Sequence, residues 1–81
     1  MAHVFLPTDL RHLAGGAEEI HVDAGTVGRL IQELDRRHPG LGAYVDRRMA
    51  IAIDGEIHQD AWFSPLSPES EVCLIPKLGG G

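Results

Sequence analysis

Three consecutive glycines close the sequence, and the last of them, Gly81, carries the main-chain carboxylate. Glycine has no Cβ, so a tail of this kind can enter a channel too narrow for any side chain. Activation of a terminal carboxylate turns its carbon into an acyl donor that a nucleophile can attack. We predict that Gly81 bears the chemistry together with Gly80, while Gly79 and Leu78 form the passage. The alternative is a chain end that simply frays.

The other residues that could take part in catalysis or metal binding do not form a recognisable site in the sequence. The five histidines lack the short spacings of metal ligands, and no cysteine pair accompanies them, so we expect surface histidines, no metal and no bound cofactor. Cys73 is expected within a strand, with no helix N-terminus beside it to activate the thiol, so we expect no nucleophilic role for it. The sequence has neither a nucleophile elbow nor a phosphate loop, and we predict that the chain is not an enzyme. The histidines are His3, His12, His21, His38 and His58.

Size and charge narrow the class of protein further. The chain of 81 residues is one domain, and its 43% apolar and 23% charged residues are typical of a globular fold. No apolar run approaches the roughly 20 residues of a membrane span, and no signal-peptide pattern is present, so we expect the cytoplasm and no membrane partner. The net charge of −5 disfavours nucleic acid as a partner and favours a basic face on another protein.

The first half of the chain predicts two strands and a helix. Residues 2–6 form a strand stopped by Pro7, and the alternating residues 18–23 form a second, joined to the first as an antiparallel hairpin by a turn-rich loop. Thr26 is a good N-cap. The helix that follows ends at His38-Pro39-Gly40. Its apolar stripe has helical spacing and consists of Val27, Leu30, Ile31 and Leu34.

The second half predicts strands separated by loops. Residues 41–48 are interpreted as a connection in which Leu41, Tyr44 and Val45 cap the core. Residues 49–53 form a strand that turns at Asp54-Gly55 into a short returning strand over residues 56–58. Residues 59–70 are a loop pinned by Trp62 and Phe63. The final strand, Val72 to Ile75, is expected to stop pairing at Pro76, which lacks an N–H.

One helix must cover one face of the sheet, and the other face then stays partly open. Alternation along the strands places Phe5, Ala50, Ala52, Cys73 and Ile75 on that open face. We predict that Phe5, Ala52, Cys73 and Ile75 form a partner interface, because an apolar open face often meets another protein. The side chains predicted to face the helix are Val4, Leu6, Ile20, Val22, Ile51, Ile53, Val72 and Leu74.

Several of these segments together resemble the ubiquitin-like sulfur carriers, the family of ThiS, MoaD and CysO. They are the helix start Gly25-Thr26-Val27, the strand and turn over residues 51–56, and the last strand leading through Pro76 to glycines. The resemblance covers nearly the whole chain and is most specific at its glycine end. It implies an α+β fold of the β-grasp type, a mixed sheet with one main helix packed on one face. The β-grasp domain would span residues 1–76, with a flexible tail over residues 77–81.

The resemblance also implies partners and a reaction. In the family, an ATP-dependent enzyme of the ubiquitin-activating type adenylates the terminal glycine, and sulfur then replaces AMP to give a thiocarboxylate. The implied partners are this adenylyltransferase/sulfurtransferase, which uses the ATP, and a biosynthetic enzyme that accepts the sulfur. This chain has three terminal glycines where the family usually shows two after a bulkier residue. The active terminus is therefore Gly81 or, after trimming, Gly80, and we favour Gly81.

The receiving pathway stays open at this point. The residues that lead to the glycines, Pro76-Lys77-Leu78, resemble those of MoaD and CysO more than those of ThiS. This resemblance favours sulfur donation for the synthesis of cysteine or molybdopterin over that of thiamine. Two other classes of function also stay open. One is a protein modifier that links Gly81 to a target lysine; Lys77 is the only lysine of the chain itself, so lysine-linked polymers are not expected. The other is an interaction module that uses its open sheet face alone.

Overall fold

The computed structural model describes residues 1–58 and 61–77. The helices α1 and α2 are Val27–Arg37 and Leu41–Arg48. Two short 3₁₀ helices cover Thr8–Ala14 and Ala61–Phe63. None of these helices is long and apolar enough to cross a membrane. The strands β1 to β5 are Ala2–Phe5, Glu19–Val22, Met49–Ile53, Glu56–His58 and Glu71–Pro76.

The five strands form one mixed sheet in the order β2-β1-β5-β3-β4. The first and last strands lie side by side in the centre and run parallel, with Val4 opposite Val72. Every other pairing is antiparallel. The predicted α+β class and mixed sheet are confirmed, and so is the antiparallel pairing of the first two strands.

Helix α1 forms as the sequence predicts. The Thr26 side chain accepts the N–H of Arg29 at 3.3 Å, which satisfies one of the free donors at the start of the helix. All four residues of the predicted stripe are buried, and Leu30 and Leu34 have no exposed surface. The eight side chains predicted to face the helix are buried as well: Val4, Leu6, Ile20, Val22, Ile51, Ile53, Val72 and Leu74.

Residues 41–48, which were interpreted only as a connection, form a second helix. Gly40 takes a positive φ of 99°, and the Asp35 carboxylate of α1 accepts the N–H groups of Gly40 and Ala43. The N-terminus of α2 is therefore capped by a side chain from the preceding helix. Tyr44 is 41% exposed and does not cap the core, whereas Leu41 and Val45 are fully buried.

Two further local predictions need correction, and a third is confirmed. The loop between β1 and β2 contains the 3₁₀ helix Thr8–Ala14, which buries Leu10 under the core. Phe63 is 85% exposed and pins nothing, although Trp62 lies so close to α1 that a Cβ at Gly28 would be 2.6 Å from its ring. Strand β5 ends at Pro76, which lies opposite Met49, so the prediction that pairing ends there is confirmed.

Candidate partner face and tail exit

The open face is the side of the sheet away from α1. Phe5, Cys73, Ala52 and Ile57 form a row across it, because each lies opposite the next in the strand register. Ala50 and Ile75 form a second pair. The strand register therefore brings together all the apolar residues that alternation places on this face. Ile57 was missed because the three-residue strand β4 is too short to show alternation, yet it is 59% exposed.

The residues of the open face differ in how much surface they offer a partner. Cys73 is exposed, and Phe5 and Ile75 are half-buried. Ala52 is only 8% exposed, because its short side chain lies between the larger residues Cys73 and Ile57 on the neighbouring strands. Ala52 therefore offers little surface of its own, and its position on the open face is as predicted.

The chain leaves the sheet at a fixed point. The main-chain N–H of Lys77 donates to the carbonyl of Arg48 at 3.1 Å, and its ammonium group donates to the carbonyl of Asp46 at 3.1 Å. These carbonyls belong to the last turn of α2, where helix geometry leaves acceptors free and favours a positive charge. Lys77 thus anchors the start of the predicted tail. Gly81, Gly80, Gly79 and Leu78 lie outside the described residues.

An apolar groove of about 650 Å³ adjoins this anchor. Ile57, Phe63, Ile75 and Pro76 line it together with Lys77. Two of these side chains, Ile57 and Ile75, also belong to the open face, so the groove and the face are continuous. A protein that covers the open face would therefore lie next to the point where the tail begins.

A polar cluster lies at the β1–β2 end of the same face. His3 is opposite His21 in the register, and Glu19 is opposite Phe5. One carboxylate oxygen of Glu19 lies 2.9 Å from Nδ1 of His3 and 2.7 Å from Nε2 of His21. These hydrogen bonds, first that from His3 and then that from His21, hold the pKa of the Glu19 carboxyl below its ordinary value.

The prediction of scattered surface histidines was wrong for these two. Alternation alone puts Glu19 and His21 on one face, and His3 on the matching face of the first strand. The missing information was the register between β1 and β2. A long connection that contains a 3₁₀ helix does not fix this register in the way that a short hairpin turn does. His12, by contrast, lies exposed in that 3₁₀ helix, away from the cluster.

Comparison with known proteins places the fold and the family. A model of the ThiS family matches residues 4–81, nearly the whole chain. The chain belongs to the ThiS family. Members of this family are small carrier proteins rather than catalysts, which agrees with the prediction that the chain is not an enzyme. No curated protein matches the sequence significantly.

Several solved structures share the β-grasp fold of this chain. CysO from Mycobacterium tuberculosis superposes with a TM-score of 0.85 at 19% identity, over 96% of this chain and 100% of that one. A chain of the BexX/CysO complex from Amycolatopsis orientalis gives 0.86 at 21% identity, with both chains fully covered. Small archaeal modifier protein 1 from Methanosarcina acetivorans gives 0.79 at 22% identity, over 99% of this chain and 95% of that one. The ubiquitin-like fold of sulfur carriers and modifiers is thus common to all of them.

Proposed function

We propose that this ThiS-family protein is a sulfur carrier whose C-terminal glycine, Gly81, is adenylated and converted to a thiocarboxylate. The observation that carries the proposal is the family match, which continues through residue 81 and so includes the three glycines. The anchored residue Lys77 adds support, because it fixes the point at which the chain leaves the sheet, next to a surface that a partner can bind.

The chemistry needs activation because a carboxylate is a poor acyl donor. Attack of the Gly81 carboxylate on the α-phosphate of ATP forms an acyl adenylate and releases pyrophosphate. Sulfide then attacks the acyl carbon, the carbon–sulfur bond forms, and AMP leaves with the electron pair of the broken bond. The chain contributes a terminal carbon that side chains do not shield, while the partner supplies ATP and the catalytic groups.

Docking of the folded domain would bring that carbon to the partner's active site. The open face offers the apolar side chains of Phe5, Cys73 and Ile75, and burying them would hold the domain while the tail enters. Such positioning turns a bimolecular encounter into an effectively intramolecular reaction. The structure of Amycolatopsis orientalis CysO in complex with BexX supports a protein partner for this chain as well.

The sulfur would pass to a second enzyme that builds a sulfur-containing metabolite, of the cysteine or the molybdopterin type. The residues before the glycines, Pro76-Lys77-Leu78, favour these two types over thiazole formation. Two of the structural neighbours are CysO proteins. At sequence identities of 19% and 21%, this likeness establishes the fold but does not identify the enzyme that accepts the sulfur. The acceptor is best identified by offering the thiocarboxylate to candidate acceptor substrates.

Mass spectrometry tests the proposal directly. Incubating the chain with a cognate activating enzyme, ATP and sulfide should raise its mass by roughly 16 Da, the exchange of one oxygen for sulfur at the acyl carbon. The matched control is a chain that lacks Gly81. An unchanged mass together with tight binding to the enzyme would instead indicate an interaction module. Covalent attachment to lysines of other proteins, without sulfur uptake, would indicate a modifier.

A further inference from the structure

His3, Glu19 and His21 bring three metal-binding atoms together at the β1–β2 end of the open face. Nδ1 of His3, Nε2 of His21 and Oε2 of Glu19 all lie within 4.8 Å of one another. The centroids of the two imidazole rings are 4.4 Å apart. All three side chains are exposed or half-buried, so an ion from solvent can reach them.

The backbone makes this approach close. The N–H of His3 donates to the carbonyl of Ser70 at 2.9 Å, so the main-chain polar groups of His3 point toward β5 and away from β2. His3 and His21 are therefore a non-hydrogen-bonded pair, the pair type in which cross-strand side chains approach most closely. Glu19 lies two residues before His21 on β2, on the same face. Both strands are held in the sheet, which fixes the three Cβ atoms.

We propose that His3, Glu19 and His21 bind a first-row divalent metal ion, with Zn²⁺ as the best match. Two imidazole nitrogens and one carboxylate oxygen are common zinc ligands, with Zn–N distances of about 2.0–2.1 Å. A tetrahedral ion with such bonds holds its ligand atoms about 3.4 Å apart. The carboxylate oxygen lies 2.9 and 2.7 Å from the two nitrogens. Side-chain rotations that increase these distances by about half an ångström make room for the ion.

Proton positions also allow binding. The ionised Glu19 carboxylate only accepts hydrogen bonds, so Nδ1 of His3 and Nε2 of His21 are the donors in the metal-free cluster. Metal binding requires each neutral ring to carry its proton on the other nitrogen, an exchange that solvent permits at exposed rings. Glu71 of β5 lies beside His3 in the register and adds negative potential, whereas Arg37 donates to the His21 carbonyl from the strand edge.

The bound ion would keep at least one coordination position open. Three protein ligands leave the fourth position of a tetrahedral zinc site to water or to another donor atom. That position faces solvent on the open face, where Phe5 is the cross-strand neighbour of Glu19. A carboxylate, imidazole or thiolate of a bound protein could complete the coordination there. The metal site does not depend on the proposed sulfur carriage.

Isothermal titration with Zn²⁺ tests the site on the full chain, prepared without a histidine tag. We expect saturable binding of one ion, and His3→Ala, His21→Ala and Glu19→Gln should each weaken it by at least about 10-fold, since even outer-shell partners of metal ligands contribute roughly 10–100-fold. His12→Ala, at an exposed histidine away from the cluster, is the matched control and should bind like the parent. Circular dichroism of each variant verifies its fold.

Three results would overturn the proposal. One is parental zinc affinity of the His21→Ala variant with its fold intact. Another is loss of binding in Cys73→Ser, which would place the ion at the exposed thiol instead. The last is absence of binding by the folded parent at about 1 mM Zn²⁺, a concentration at which a site with a dissociation constant in the micromolar range would be saturated. NMR supplies an independent readout, because Zn²⁺ should shift the ring resonances of His3 and His21 and leave those of His12 in place.

Discussion

The carboxylate of Asp35 in α1 accepts the main-chain N–H of Ala43 in α2, across 3.2 Å. The same oxygen accepts the N–H of Gly40 at 3.1 Å. Helices begin with free N–H groups, and here a residue of the preceding helix satisfies two of them. The two helices also touch directly, since a Cβ at Gly42 would lie 2.5 Å from the carbonyl oxygen of Ile31. The α1–α2 corner thus depends on one carboxylate and one glycine.

Replacing Asp35 should therefore loosen that corner. Asp35→Ala removes the acceptor of both hydrogen bonds, and we expect a loss of about 0.5–2 kcal/mol of unfolding free energy, the range for deleted helix caps. Asp35→Asn keeps one acceptor oxygen of the same shape and should lose less. Urea denaturation monitored by circular dichroism measures both variants. Equal stability of the alanine variant and the parent would show that water replaces the cap.

This corner also shows where sequence reasoning ends. The stripe of α1 was predictable because its apolar residues recur every three or four positions. Helix α2 spans eight residues, and Leu41, Tyr44 and Val45 follow that spacing for little more than one turn. Its capping side chain lies outside the segment. A short helix that depends on a tertiary cap leaves little local signal. The same holds for the His3–His21 pair, which depends on the register between two strands and on no local motif.

The Glu33 carboxylate of α1 should make stability depend on pH. Hydrogen bonds from Arg36, at 2.9 and 3.0 Å, are the main reason that its pKa lies below the ordinary value, and Arg37 adds a weaker bond at 3.3 Å. The unfolded chain then binds a proton at higher pH than the folded one. The stabilisation is fully present above the ordinary pKa and is lost as pH falls through the lowered one.

Urea denaturation between pH 3 and pH 6, roughly the range around the ordinary carboxyl pKa, measures this dependence. Glu33→Gln cannot ionise, so its unfolding free energy should fall less steeply with acid than that of the parent. Raising the salt concentration should reduce the difference, since the ion pairs are exposed and screened. A variant that loses stability in acid as steeply as the parent would assign the effect to other carboxylates.

The open face gives a prediction about partner binding. A charge at Cys73 should weaken binding to the activating enzyme, because an apolar contact would desolvate the charge without a partner. Cys73→Asp should preserve the fold, since the side chain is exposed. Ala52→Asp is a poorer probe, because at 8% exposure it would disturb folding and binding together. The control is Gln32→Asp, at an exposed position of α1 outside the open face.

Binding of these variants can be measured by titration calorimetry with the activating enzyme. We expect a loss for Cys73→Asp and parental affinity for Gln32→Asp. If both bind like the parent while remaining folded, the enzyme docks elsewhere on the domain. If both bind weakly, the added negative charge alone is responsible, and the open face is not singled out.

The length of the tail should control activation, because Lys77 fixes its starting point against α2. Deleting Gly81 withdraws the terminal carboxylate by up to about 3.3–3.6 Å along an extended chain. A misplacement of about 1 Å can already cost roughly 100-fold when reacting groups must align. Adenylation of the shortened chain should therefore fall at least that far. ATP–pyrophosphate exchange with the activating enzyme reports the rate.

Two further variants separate tail length from tail width. Gly80→Val keeps the length but adds a branched side chain, and it should block a channel that admits only bare backbone. An additional residue after Gly81 converts the reactive carboxylate into a peptide bond, so it should abolish exchange at that position. Both changes leave every buried residue of the described ranges 1–58 and 61–77 in place, so melting temperatures should match the parent. If a chain without Gly81 is adenylated at the parental rate, the activating enzyme does not depend on the length of the tail. Gly80 would then be assigned as the reactive terminus.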